Sequence, residues 1–202
     1  MTSQTQYWNR LIQPGIVALV GAGGKTTVLS KLVEYGRLQG QPIVVTTTTQ
    51  LYESQVAQYE PIYTKDINDV DEYCTKRIQQ GYCGAWFNGI TRTKVDAVDC
   101  ESIDGLSALH PNWQIVVEAD GAKEKWLKAP KHTEPVIPSQ TKTTIGVVNL
   151  QMLGASLDED HVHNLELVQS IVHREEGAIV TPHMLAQIVL HKQGLFQYSK
   201  GK

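Results

Sequence analysis

The chain has 202 residues, 41% of them hydrophobic and 19% charged, which suits one globular domain with a sheet covered by helices on both faces. A formal net charge of −3 gives no reason to expect a nucleic-acid partner, and no apolar run approaches membrane-spanning length, so no membrane partner is expected. Cys74, Cys83 and Cys100 lack metal-type spacing, and MTSQTQYWNR has no apolar signal-peptide core; together these lead us to expect reduced thiols and a cytoplasmic protein.

The stretch GIVALV (15–20) is a short apolar run stopped by glycine, the pattern of a buried strand. Val28, Leu29, Leu32, Val33 and Leu38 then fall at helical spacing, closed by Gly40. PIVVTTTT (42–49) reads as a second buried strand, so strand, glycine loop, helix and strand form a βαβ unit with parallel strands. PIY (61–63) is a short strand, and Asp66 caps a helix carrying Ile67, Val70, Tyr73, Cys74 and Ile78 that ends at Gly81. CGAWFNGI (83–90) reads as an edge strand or part of a hairpin, and residues 101–109 as a short helix. WQIVVEADG (113–121) is an apolar strand ending in acids, residues 122–141 a long ordered loop with Pro130, Pro135 and Pro138, and TIGVVNL (144–150) a further strand. Two helices follow. One carries Leu165, Leu167, Val168, Ile171 and Val172 and ends at Gly177. The other is capped by Thr181 with Pro182 at its first position, carries Met184, Leu185, Ile188 and Val189, and stops near Gly194. The expectation is a single α/β domain over 1–202, with a P-loop NTPase-like, mostly parallel, doubly wound sheet.

Residues 20–27, VGAGGKTT, carry the parts of a phosphate loop off the usual spacing. In G-x-x-x-x-G-K-[ST] the first glycine would fall at residue 19, which is Leu. Phosphate binding needs backbone N–H groups converging on an anion, a helix N-terminus behind them and a cation in reach. Gly21, Ala22, Gly23 and Gly24 supply a backbone that can turn tightly and approach closely. Lys25 can neutralise phosphate charge, Thr26 can hold Mg²⁺, and Thr27 completes the loop. The alternative is a glycine-rich turn with an exposed lysine.

A metal-dependent phosphate site also needs an acid at the end of a neighbouring strand. Glu118 and Asp120 alternate along an extended chain and share a face. Either could bind Mg²⁺, directly or through water, or position an attacking water; the plain alternative is a solvated strand end. Thr47 and Thr48 stand where ligands meet the carboxyl ends of sheet strands. They could join the Mg²⁺ shell or orient substrate, or simply express β-propensity and cap a helix. The segment DGAKEKWLKAPKHTEPVIP (120–138) places Lys123, Lys125, Lys128, Lys131 and His132 after the acids, and its prolines stiffen it. Lys123, Lys128 and His132 are candidates for binding a second anionic group or transition-state charge, against a solvated basic loop. The pair His161 and His163 falls at an expected helix start, which favours structure or substrate contact over a metal site.

Together GAGGKTT, VVTTTT, VVEADGAKEKWLKAPKHTEPVIP, LDEDHVHN and VTPHMLA resemble the selenium-dependent hydroxylase accessory proteins of the YqeC type, over nearly the whole chain. The resemblance implies a P-loop protein that binds ATP or GTP with Mg²⁺ and works in maturing molybdenum hydroxylases, with such an enzyme or its cofactor-assembly proteins as partner. By position it implies phosphates on Gly21 to Thr27, metal facing Glu118 and Asp120, and a substrate-side loop of Lys128 and His132 to Pro135, including Glu134. Two departures stand out. Relatives continue into a strand ending Asn-Lys-x-Asp, whereas this sequence ends at GLFQYSKGK, so either the domain is shortened or the base is read otherwise. TPHML also lacks the acid that often follows Thr-Pro.

The leading expectation is a Mg²⁺-dependent NTPase, with Lys25, Glu118 and Asp120 as its catalytic groups. Glu118-Ala119-Asp120-Gly121 matches the E-x-x-G element of metallochaperone GTPases. The alternatives are an ATP-dependent ligase, by the parallel between GAGGKTT and the loop of peptidoglycan amino-acid ligases, and a non-hydrolysing nucleotide-binding adaptor.

Overall fold

The computed structural model describes residues 3–200. In chain order the elements are α1 (Ser3–Leu11), β1 (Gly15–Gly21), α2 (Lys25–Leu38), β2 (Ile43–Thr47), β3 (Leu51–Tyr52), β4 (Ile62–Tyr63), α3 (Ile67–Gln79), β5 (Gly84–Phe87), β6 (Gly89–Thr91), β7 (Lys94–Asp96), α4 (Cys100–Leu109), β8 (Gln114–Glu118), β9 (Leu127–Lys128), β10 (Thr141–Val147), β11 (Val162–His163), α5 (Leu165–Val172) and α6 (Pro182–Leu190).

Six strands form the central sheet in the order β10-β1-β8-β2-β5-β4, and every pairing in it is parallel. The crossover from β1 through α2 skips a place, and β8 fills it. Alternation along the strands divides the core. Val17, Leu19, Val45 and Val116 face one way, against Leu29, Leu32 and Val33 of α2. Ile16, Val44, Ile115 and Val117 face the other, against Val70 and Cys74 of α3 and Ile103 and Leu106 of α4. Helices on both faces of a parallel sheet make this the expected doubly wound α/β architecture, consistent with a P-loop NTPase-like fold. A separate apolar cluster joins Leu127, Met152 and Val162 to the inner faces of α5 and α6. It is fastened to the 121–138 segment by the parallel pairing of β9 with β11.

Several elements differ from the sequence reading. Residues 3–11 form a helix whose Trp8 stacks on Tyr35 of α2, 5.7 Å between ring centroids. Strand β5 is interior, between β2 and β4; the hairpin next to it is β6 with β7, to which β3 adds a third antiparallel strand. Strand β10 starts at Thr141 and ends at Val147, earlier than expected. Helix α5 stops at Val172, before Gly177, because His173 takes a left-handed backbone (φ 52°); α6 stops at Leu190. Residues 162–163 are a strand, not the start of a helix. No helix among the described residues is long and apolar enough to cross a membrane.

Candidate functional site

Register brings three strand ends together. Leu19 of β1 lies opposite Glu118 of β8, and Glu118 lies opposite Thr47 of β2. The turn from β1 into α2 therefore opens beside the acidic end of β8, on the carboxyl edge of the sheet where ligands of α/β folds bind. Gly21, Gly23 and Gly24 have φ of 103°, 70° and 152°, a region that L side chains rarely occupy. A Cβ on Gly21 would lie 2.2 Å from the Val147 carbonyl oxygen, and one on Gly23 would lie 2.5 Å from the Asn149 Cβ. The turn thus exists because these positions are glycine. Gly24 caps α2 with no side-chain hydrogen bond to the helix, so the first N–H groups of α2 face outward with the positive end of the helix dipole.

Beyond the turn lies a cleft of ≈ 620 Å³. Gly23 to Thr27 and Glu118 form one wall, and Gly121 to Trp126, Lys131, Glu134 and His163 form another. Thr49 to Tyr52, Gln55, Lys94 and Asn149 complete the lining.

Under this cleft is a buried ionic network. Lys25 is 4% exposed, Asp120 2% and Lys128 2%. The Lys25 ammonium donates to the Gly21 carbonyl at 2.6 Å and to Asp120 Oδ1 at 2.7 Å. Glu118 Oε1 stands 3.6 Å from it. Asp120 also accepts the Gly21 N–H, at 3.2 Å on Oδ1 and 3.0 Å on Oδ2. Lys128 reaches Asp120 Oδ2 at 3.2 Å, the Gly121 carbonyl at 2.7 Å and Glu134 Oε2 at 2.9 Å. Buried charges are tolerable only when paired and fully hydrogen-bonded, and here each ammonium has an opposing carboxylate. Burial holds the Glu118 carboxyl above its ordinary range, and neighbouring Asp120 adds to this, although Lys25 pulls the other way.

The predicted residues therefore separate by place. Glu118, Lys123 and Glu134 line the cleft with the loop residues Gly23 to Thr27. Asp120 lies beneath, clamping the loop backbone to two lysines. The Thr47 hydroxyl donates to the Glu118 carbonyl at 2.8 Å, and that of Thr48 to the Val136 carbonyl at 2.6 Å. Of the threonines at 46–49, the one that lines the cleft is Thr49. Lys128 is inside the network, and His132 is exposed, its carbonyl accepting from the Tyr198 hydroxyl at 3.0 Å. His161 is taken by Asp158, 2.6 Å from its Nδ1. His163 lines the cleft; burial, Lys128 and Lys123 push it down to about 4, so its imidazole is neutral at neutral pH. Lys94 and Asn149 were not foreseen. Each comes from a distant part of the chain, and neither belongs to a recognisable local motif.

A family model described as YqeC protein matches residues 17–166. An uncharacterized protein YqeC of Escherichia coli (strain K12) is 28% identical over 186 residues, covering 92% of this chain and 71% of its own. No solved structure matches. The match takes in most of β1, the glycine turn at 21–24, the acidic end of β8 and the whole 120–138 segment, and on it the chain belongs to the YqeC family.

Proposed function

We propose that this protein binds a nucleoside triphosphate, ATP or GTP, with Mg²⁺ and hydrolyses it in the cytoplasm. The observation that carries the reading is the turn at 21–24. Three positive-φ glycines at a strand-to-helix junction turn the chain so that Gly23 to Thr27, at the start of α2, line a cleft that also contains Glu118. Thr26 Oγ1 and the Glu118 carboxylate are hard oxygen donors on that cleft and fit Mg²⁺. Among the described residues no three His, Cys, Asp or Glu side chains converge to hold a metal. Two protein oxygen donors suit a cation whose remaining ligands are phosphate oxygens and water. When bound, Mg²⁺ would neutralise phosphate charge. The chain's own groups then have separate tasks. The loop N–H groups hold phosphate oxygens, and Asp120 keeps the loop in shape through the Gly21 N–H. Lys25 exchanges Asp120 for a phosphate oxygen. Glu118, with its raised affinity for protons, orients or deprotonates the attacking water.

The wider role, as an accessory factor in maturing selenium-dependent molybdenum hydroxylases, rests on the family resemblance. A non-hydrolysing adaptor is the second reading, favoured by the Lys25 ammonium being tied to Asp120 inside the protein. Phosphate release from ATP and GTP, with and without Mg²⁺, separates the two. We expect Mg²⁺-dependent turnover that falls at least about 100-fold in Lys25→Ala. Tight nucleotide binding with no turnover, even with a target hydroxylase present, would select the adaptor. ADP release that depends on an added amino acid would select the ligase.

A further inference from the structure

The two halves of the cleft carry different chemistry. The phosphate-loop half offers backbone N–H groups and one lysine already paired with Asp120. The other half is lined by cations without counter-ions. Among the described residues Lys94, Lys123, Lys125 and Lys131 line the cleft and form no ion pair. Of the carboxylates on the lining, Glu118 stands by Lys25 and Glu134 is taken by Lys128, which leaves Glu124. Lys123 and Glu124 hold left-handed backbone (φ 47° and 62°), so the chain here is turned by something other than local preference. Its anchors are Lys128, fixed beneath, and the β9–β11 pairing that sets Lys128 opposite His163.

We propose that this half is a subsite for a second substrate carrying a phosphate or carboxylate group, held by Lys123 and Lys131 beside the His163 imidazole. What occupies the other half rests on the nucleotide reading. Anion binding by ammonium groups on a wall with little competing carboxylate is the chemistry the residues supply. The neutral imidazole adds a group that can accept a proton or, on gaining one, strengthen the anion's hold.

The test uses the full chain with Mg²⁺ and a non-hydrolysable ATP or GTP analogue in place, and measures equilibrium binding of radiolabelled inorganic phosphate. One phosphate is expected to bind alongside the analogue. The double variant Lys123→Gln/Lys131→Gln weakens it about 100-fold, two charge-assisted contacts at about tenfold each, while analogue affinity stays within about twofold. Displacement by acetate supports a carboxylate-bearing substrate, and resistance to acetate a phosphorylated one. Competition between phosphate and analogue for a single site overturns the proposal, as does equal loss of both in the double variant. If no analogue binds, the nucleotide reading fails by itself. Phosphate binding to the nucleotide-free Gly23→Ala variant, whose loop is blocked, then decides the subsite: binding that depends on the two lysines supports it, and no binding overturns it. A second readout is the His163 Cε1 proton resonance. The groups facing this ring are Lys128 on β9 and Lys123, Glu134 and Lys131 of the flanking segment. Its titration midpoint, about 4 without ligand, moves upward when phosphate binds; an unmoved midpoint contradicts the proposal.

Discussion

The two walls of the cleft are built in opposite ways. At 21–27 the work is done by backbone, and the side chains of greatest consequence are the ones the glycines lack. At 120–138 it is done by side chains, and the backbone follows from where Asp120, Lys128 and Glu134 pair. Asp120 touches both, holding the Gly21 N–H on one side and Lys128 on the other. Each wall therefore has its own weakness. The first fails by added bulk, the second by lost charge.

The largest effect therefore belongs to the group that serves both. Asp120→Ala leaves two buried lysines without their shared carboxylate and should cost about 3–5 kcal/mol in urea denaturation. A loss below about 1 kcal/mol would mean that the walls are not joined through this residue. Gly23→Ala comes next. Its strain is worth about 1–3 kcal/mol, and nucleotide affinity should collapse further than stability does. Normal affinity in that variant would remove the backbone account of the loop. Glu118→Gln should separate function from stability. A folded carboxyl whose proton affinity is raised makes ionisation cost more in the native state, so stability falls as pH rises through that range. The neutral amide avoids this cost at pH 7, so the variant should melt higher while turnover drops; a lower melting temperature contradicts that.

The smallest effect concerns His163. Its proton affinity is lowered in the folded protein, so its contribution to stability is present above the ordinary histidine value of 6.5 and is lost as pH falls toward about 4. His163→Gln should flatten the stability curve across that window. An unchanged curve would show that the imidazole feels neither its burial nor the lysines around it.

The first wall was legible in the sequence because its determinants are local. Glycines, a lysine and a strand-to-helix order all fall within residues 15–38. The fold class was legible for a similar reason, since apolar runs at 15–20, 42–49 and 113–121 mark buried parallel strands wherever they lie. The second wall was legible in composition but not in arrangement. Nothing around Lys128 says that its ammonium turns inward, because that depends on β9 pairing with a strand more than thirty residues later. The same pairing makes His163 a cleft residue, whereas the sequence pattern had placed it at a helix start. Thr47 and Thr48 resemble ligands in sequence, yet their hydroxyls go to carbonyls of neighbouring segments, a choice fixed by tertiary contact. Helix α1 is not legible in the sequence because SQTQYWNRL has little apolar periodicity beyond the Trp8 and Leu11 that pack on α2 and the core.

The central claim is that the 21–27 turn holds the phosphates of a nucleotide. A calorimetric titration of the purified chain with ATP and with GTP, with and without Mg²⁺, tests it most directly. The account predicts saturable, Mg²⁺-enhanced binding of at least one nucleotide that is lost in Gly23→Ala. Heat of dilution alone for both nucleotides, with the protein folded and Mg²⁺ present, would contradict it.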